Sequence, residues 1–200
     1  YPQLACADDD TTYTVQYGPY WPPRAILCAG NDSVMMFLKD VMDEIIPLFP
    51  GKYIHIGGDE AVKENWERCP RCAKRMKELG LSDFEQLQGW MVVEMENYLK
   101  RQGKNIIGWD EILDGGLAEG AAVMSWRGTE GGIAAMNMGH DVVMSPGRYC
   151  YLDHTQDAPF KEPQSIGGYL PLDSVYVYEP VEPSMPADKV HHLKGVQANL

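Results

Sequence analysis

The sequence predicts an α/β fold of the (β/α)8, or TIM-barrel, type, present here in part. Two observations predict it. Short apolar segments alternate with amphipathic helical ones, the pattern of a parallel sheet with right-handed crossovers. Three of the apolar segments end in carboxylate and aromatic clusters, Asp59-Glu60, Trp109-Asp110-Glu111 and Trp126-Arg127. A doubly wound sheet would satisfy the first observation but should carry a glycine-rich phosphate loop after a strand. Here Gly57-Gly58 leads directly into two carboxylates, which would repel phosphate. Polar groups at the C-terminal ends of several strands are the habit of the barrel.

Five segments read as strands: 52–57, 105–109, 121–126, 141–145 and 195–199. They are apolar or small on both faces, as buried parallel strands are. The first helix follows a cap at Asp32 or Ser33 and sets Val34, Phe37, Leu38, Val41, Met42 and Ile45 at three- and four-residue steps before Pro47 and Pro50-Gly51 stop it. A second begins at Ser82 with Glu85 as a capping box, turns Phe84, Leu87, Met91, Met95 and Leu99 inward, and ends near Gly103. Residues 63–79 read as helical up to Gly80, and 129–138 as a weaker helix stopped by Gly139. Residues 146–194 hold seven prolines and read as an elaborate βα loop, with a short helix expected between Pro171 and Tyr178. A complete barrel takes about 250 residues, so five strands predict an incomplete one.

At 44% hydrophobic and 23% charged, the 200 residues have the composition of a globular domain. A net charge of -12 disfavours nucleic acid and anionic membrane as partners. No apolar run approaches the roughly 18 residues of a membrane span. The chain opens at Tyr1 without an initiator Met, so an excised segment is expected, with any leader upstream. The cysteines are Cys6, Cys28, Cys69, Cys72 and Cys150; an odd number leaves at least one free or paired outside the segment. Cys69-Pro70-Arg71-Cys72 has the spacing of half a zinc knuckle. No second such pair follows, so this motif alone cannot build a four-ligand site, and a local disulfide or two reduced thiols is the reading preferred.

The richest stretch is His55-Ile56-Gly57-Gly58-Asp59-Glu60. Two glycines permit a tight turn and close approach of a ligand. Adjacent carboxylates raise one another's pKa, which suits a general acid that must stay protonated near neutrality. By itself an Asp-Glu pair reads as the solvated acidic start of a helix. Here it follows a buried strand and has aromatic company: Trp109 and Trp126 close two later strands, and Tyr149, Tyr151 and Asp153 follow the next. A lone tryptophan reads as core. Two at equivalent strand ends beside carboxylates read as walls for a pyranose ring.

The runs HIGGDE, GWDEI, SWRG and YLD, with the opening Tyr1–Cys6 and the tail Gly195–Leu200, resemble glycoside hydrolase family 20, the β-N-acetylhexosaminidases, in order over essentially the whole chain. The resemblance implies a (β/α)8 barrel and a retaining exo-enzyme removing terminal β-linked N-acetylglucosamine or N-acetylgalactosamine. It implies that residues 1–200 are a C-terminal portion of the catalytic domain, roughly strands 4 to 8 with their helices. The family is a substrate-assisted exception to the two-carboxylate scheme. By resemblance Glu60 is the acid/base, Asp59 holds the 2-acetamido nitrogen, and Tyr151 binds the acetamido oxygen that attacks the anomeric carbon. Trp109 and Trp126 are pocket walls and Asp153 binds sugar hydroxyls. Asp110 and Glu111 are weaker candidates for facing the sugar. His55 reads as packed inside the barrel, with orientation of Asp59 as the alternative. The arginine, histidine, further tryptophan and glutamate that the family brings from elsewhere fall outside the segment.

Three readings follow. One is the hexosaminidase, with an N-acetylhexosaminide glycan as partner. The second is a non-catalytic carbohydrate-binding barrel, and the third a retaining glycosidase with a protein nucleophile such as Glu111. None calls for a metal or organic cofactor. A secreted or periplasmic location is implied by the resemblance alone. The isolated segment is expected to be inactive and, through bare strand edges, to pair with copies of itself.

Overall fold

The structure, a computed structural model, describes residues 1–6, 26–158 and 161–200. It is α/β, with five strands, β1 (Tyr53–His55), β2 (Asn105–Trp109), β3 (Ala122–Ser125), β4 (Val142–Met144) and β5 (Leu193–Val196), in one sheet of that same order. Pairings β2-β3, β3-β4 and β4-β5 are parallel. Chain contacts divide the molecule into two compact units, Tyr1–Ile106 with Glu111–Gly120, and Ile107–Asp110 with Ala121–Leu200.

The first unit carries α1 (Asp32–Ile45), α2 (Glu64–Arg68), α3 (Pro70–Leu79) and α4 (Phe84–Arg101). Both long helices begin one residue from where the sequence reading put their caps. Asn31, not Asp32 or Ser33, caps α1 by accepting the Ser33 N–H at 3.1 Å. Asp83, not Ser82, caps α4 by accepting the Gln86 N–H at 2.8 Å, while the Gln86 side chain reaches back to the Ser82 N–H at 3.0 Å. Glu85, expected to complete the box, instead holds Lys63 at 2.5 Å. Residues 63–79 are two helices, because Pro70 opens a new one at its first position.

Leu87, Leu99, Ile106 and Ile112 are fully buried and form the centre of this unit. The segment Glu111–Gly120 is held to α4 by backbone-to-backbone packing. A Cβ on Gly89 would stand 2.5 Å from the Gly115 carbonyl oxygen, and one on Gly115 would stand 1.9 Å from the Glu85 carbonyl oxygen. The buried Glu96 carboxylate then accepts the Gly120 N–H at 2.5 Å.

The second unit is a β3–α5–β4 crossover, with α5 (Glu130–Asn137) between the strands, followed by β5. Val123, Val142, Met136 and Met144 are wholly buried, consistent with strands covered on both faces. A bulge at Val142/Val143 sets Val143 opposite Gly195. The fifth strand therefore lies at 193–196 rather than 195–199. Hydrogen bonding continues beyond it: Gln197 donates to the Met144 carbonyl at 2.9 Å and Asn199 to that of Cys150 at 2.9 Å. The long 146–194 connection holds α6 (Gly147–Cys150), absent from the sequence reading, and α7 (Leu172–Tyr176), inside the stretch where a helix was expected.

All five cysteines are buried free thiols, so of the two alternatives for Cys69 and Cys72, a local disulfide or two reduced thiols, the structure has the thiols. The sulfurs of Cys69 and Cys72 each lie 3.7 Å from that of Cys28.

The glycine packing gives a test in which two effects oppose. Alanine in a helix interior is favoured over glycine by about 1 kcal/mol, but overpacking against rigid backbone costs about 1–3 kcal/mol. The difference of the two terms is about 0–2 kcal/mol, and with the Cβ only 2.5 Å from a backbone oxygen Gly89→Ala should destabilise the protein in urea denaturation by an amount toward the upper end of that range. Gly51→Ala, where a Cβ meets nothing within 4 Å, should leave it unchanged.

Candidate functional site

Strand β1 stops at His55, and the next residues form a turn that few sequences can adopt. Gly57 has φ 72, Gly58 φ 101 and Glu60 φ 49; among the described residues Glu60 is the only non-glycine with positive φ. Such a conformation disfavours a residue bearing a Cβ by roughly 1–2 kcal/mol, and strain of this kind gathers at functional sites. Gly58 is fixed from two sides. Gln88 of α4 donates its amide to the Gly58 carbonyl at 2.7 Å, and a Cβ on Gly58 would meet Ile112 Cγ2 at 2.7 Å. The turn thereby presents Asp59, half-buried, and Glu60, exposed.

The strand expected over 52–57 ends at His55, before Gly57. His55 is exposed rather than packed inside, and its Nδ1 accepts the Gly57 N–H at 3.1 Å. It braces the turn from the strand side. Asp59 and Glu60 border a cavity of 430 Å³ whose other walls are mainly aliphatic residues of α1 and α4, such as Leu38, Met42, Met91 and Met95. The Gln88 Oε1 atom beside this turn is buried and lacks a hydrogen-bond partner.

The second unit contains a chamber of a different character, 490 Å³, lined by Trp126, Arg148, Tyr149, Tyr151, His154 and Glu182 among others. Its volume lies in the range of small-ligand sites. Trp126 and Tyr151 stack with centroids 6.3 Å apart at 28°, and the His154 ring tilts against Tyr151 at 5.4 Å. Tyr149 stacks on Tyr178 at 4.6 Å and 11°. Tyr151 is positioned by a parallel bridge to Asn199, next to the tail of β5. Asp153 has a buried carboxylate oxygen with no partner, an unmet demand of the kind a ligand hydroxyl satisfies. Trp109 ends β2, opposite Met124 of β3; neither Trp109 nor Asp153 lines the chamber.

Asp110, one of the weaker candidates for facing the sugar, is 2% exposed and bonded to Arg127, which lines the chamber. Its carboxylate holds Arg127 Nε at 3.3 Å and stands 3.5 Å from Ser125 Oγ, whose one proton it shares with the nearer Gly128 carbonyl at 2.9 Å, while the Ser125 oxygen accepts the Gly132 N–H at 3.0 Å. Burial pushes the Asp110 carboxyl above its ordinary value of 3.8, and Arg127 opposes that rise. Arg148, His154 and Glu182 were not singled out in the sequence reading. His154 was legible one residue after the YLD run, whereas Glu182 comes from a loop without a pattern.

The sequence profile of the glycosyl hydrolase family 20 catalytic domain matches residues 1–200. The chain belongs to that family. It is 52% identical over 201 residues to a beta-hexosaminidase of Porphyromonas gingivalis, covering 100% of this chain and 26% of that protein. A beta-hexosaminidase of Vibrio furnissii is 36% identical over 178 residues, covering 88% and 29%. Among solved structures, a family 20 exo-β-N-acetylglucosaminidase of Vibrio harveyi in complex with N-acetylglucosamine superposes with a TM-score of 0.77 at 33% identity, over 88% of this chain and 28% of that one. The chain thus spans between a quarter and a third of the length of these relatives.

The Asp110–Arg127 pair gives a pH test. A carboxyl whose folded pKa is raised binds its proton more tightly in the native state. Its effect is a loss of stability as pH rises from the unfolded value through the folded one, complete above the latter. Arg127→Gln removes the opposing charge, so a 13C NMR titration of the Asp110 carboxyl should show a higher midpoint in the variant than in the wild type. An unchanged midpoint would mean that the ion pair does not govern Asp110.

Proposed function

We propose that the protein of which this chain forms part is a retaining exo-β-N-acetylhexosaminidase that cleaves terminal β-linked N-acetylglucosamine or N-acetylgalactosamine with the help of the substrate's own acetamido group. The observation that carries the reading is the Gly57-Gly58-Asp59-Glu60 turn, where a non-glycine residue is held at positive φ so that two adjacent carboxylates leave the end of a strand together.

In this reading the Glu60 carboxylic acid protonates the glycosidic oxygen as the acetamido oxygen attacks the anomeric carbon. The leaving group departs and an oxazolinium ion forms. Asp59 accepts a hydrogen bond from the acetamido nitrogen and stabilises the positive charge that develops there, while holding the group in near-attack geometry. Tyr151 donates to the acetamido oxygen. The Glu60 carboxylate then takes a proton from water, which opens the oxazolinium ion with retention at the anomeric carbon. Trp109 and Trp126 offer ring faces to the apolar side of the sugar. Asp153, with its unpartnered buried oxygen, accepts from sugar hydroxyls.

The same reading makes residues 1–200 a C-terminal portion of a (β/α)8 catalytic domain, roughly strands 4 to 8. It gives the protein a secreted or periplasmic location, and it makes the isolated 200-residue chain inactive and prone to self-association through open sheet edges. A binding barrel without catalysis has no use for a strained acid pair, and a protein nucleophile at Glu111 would leave Asp59 without a task.

Glu60→Gln in the full-length enzyme should lower turnover by about 10²–10⁴-fold on a substrate with a poor alkyl leaving group, and far less on one with an activated aryl leaving group. Equal losses on both would remove Glu60 from the acid role. A glycoside with hydroxyl in place of the 2-acetamido group should be turned over very poorly, and efficient turnover of it would exclude substrate assistance.

A further inference from the structure

Four of the five cysteines converge on one point in the first unit, although they come from three separate stretches of chain. Cys6 follows a short turn at Pro2–Leu4, Cys28 precedes α1, and Cys69 and Cys72 bracket the start of α3. Their exposures are 4%, 0%, 1% and 0%. The sulfur of Cys6 lies 3.8 Å from that of Cys72, and Cys28 lies 3.7 Å from both Cys69 and Cys72. All four sulfurs are within 4.8 Å of one another, and among the described residues this is the one such group of three or more metal-ligating side chains.

These distances suit a metal. A disulfide needs sulfurs about 2.0 Å apart, and no pair approaches that. Four thiolates placed tetrahedrally around an ion at about 2.3 Å have neighbouring sulfurs about 3.8 Å apart, the edge of a tetrahedron being about 1.6 times its centre-to-corner distance. A cluster with bridging sulfides would spread the cysteines wider, so the space fits a single ion. Four thiolates leave no open coordination position, which marks a structural rather than a catalytic site.

The surroundings are those of a metal-thiolate knuckle. A Cβ on Gly30 would lie 2.2 Å from the Arg71 carbonyl carbon and 2.5 Å from the Cys72 nitrogen, so only glycine lets the Cys28 strand rest on the Cys69–Cys72 turn. Arg71, between the paired cysteines, donates to the Ala5 carbonyl at 2.8 Å, tying the Cys6 arm to the turn. Its charge offsets part of the two negative charges left when four thiolates bind a divalent cation.

We propose that Cys6, Cys28, Cys69 and Cys72 bind one structural zinc ion, contrary to the sequence reading that no metal was called for. Binding releases the thiol protons to solvent, and no oxidation or reduction is involved. Trp66 packs against the cysteine cluster, donates its indole N–H to the Leu27 carbonyl at 2.9 Å, and lines the cavity that Asp59 and Glu60 border. The ion therefore fixes one wall beside the acid pair without touching substrate.

The test is metal analysis and zinc-edge X-ray absorption on the purified full-length protein, with Cys72→Ser and Cys150→Ser variants. Cys150 is buried but stands outside the cluster. The wild type should hold one more zinc per chain than Cys72→Ser, Cys150→Ser should hold as much as the wild type, and the absorption spectrum should show four sulfurs at about 2.3 Å. Should Cys72→Ser fail to fold, the wild-type absorption spectrum decides alone. Zinc coordinated by nitrogen or oxygen, iron in its place, a metal-free protein, or a disulfide joining any two of the four cysteines would each overturn the proposal.

Discussion

The arrangement around the acid pair depends on one constraint: the backbone after β1 must reverse within four residues while the Gly58 carbonyl stays bonded to Gln88. Every neighbouring choice answers to it. Gly58 has no Cβ because Ile112 occupies that space. Ile112 is in place because Gly115 packs on α4 without a side chain. Glu60 alone bears the cost of a positive φ with a side chain attached, about 1–2 kcal/mol. Burial of Leu87, Leu99 and Ile106 in the same unit outweighs that, since each large apolar side chain removed from water contributes about 1.5–3 kcal/mol. The strain is held by the Gln88 bond and the Ile112 contact at Gly58, the over-determination that lets strain persist at a functional site.

The second unit answers a different problem, that of supporting an aromatic chamber with polar groups that must not be left unpaired. Ser125, fully buried, shares its one proton between the Gly128 carbonyl and the Asp110 carboxylate and accepts the Gly132 N–H, which links three pieces of the chain. Asp110 is buried at a desolvation cost that Arg127 partly compensates, and losing one partner of such a pair costs more than the pair itself contributes. Asp110, Arg127 and Ser125 thus form one connected hydrogen-bond network on either side of Trp126 in the chain. The Asp153 carboxylate keeps one buried oxygen without a partner.

Much of this was legible from residue order. The strand positions followed from apolar runs, and the acid pair from its place after two glycines. Most of what the sequence reading missed shares one physical cause, contact between residues far apart in the chain. The contact of Gly89 with Gly115 leaves no local pattern, because each is an unremarkable glycine by itself. Asp110 looked like a site residue because it follows Trp109, and only the fold reveals that it turns inward to Arg127. Its spacing made Cys69–Cys72 half a motif, and the other half arrives from 41 and 66 residues away. The helix caps slipped by one residue because Asn31 and Asp83 compete with equally suitable neighbours.

The central claim is that the turn after β1 exists to set Asp59 against the acetamido nitrogen and Glu60 against the glycosidic oxygen. The direct measurement is a crystal structure of the full-length protein bound to a thiazoline analogue of the oxazolinium ion. The account predicts the Asp59 carboxylate within about 3 Å of the ring nitrogen, with Glu60 still at positive φ and its carboxyl beside the anomeric carbon. A complex in which Asp59 points away from the ring, or in which the turn relaxes so that Glu60 returns to negative φ, would contradict it.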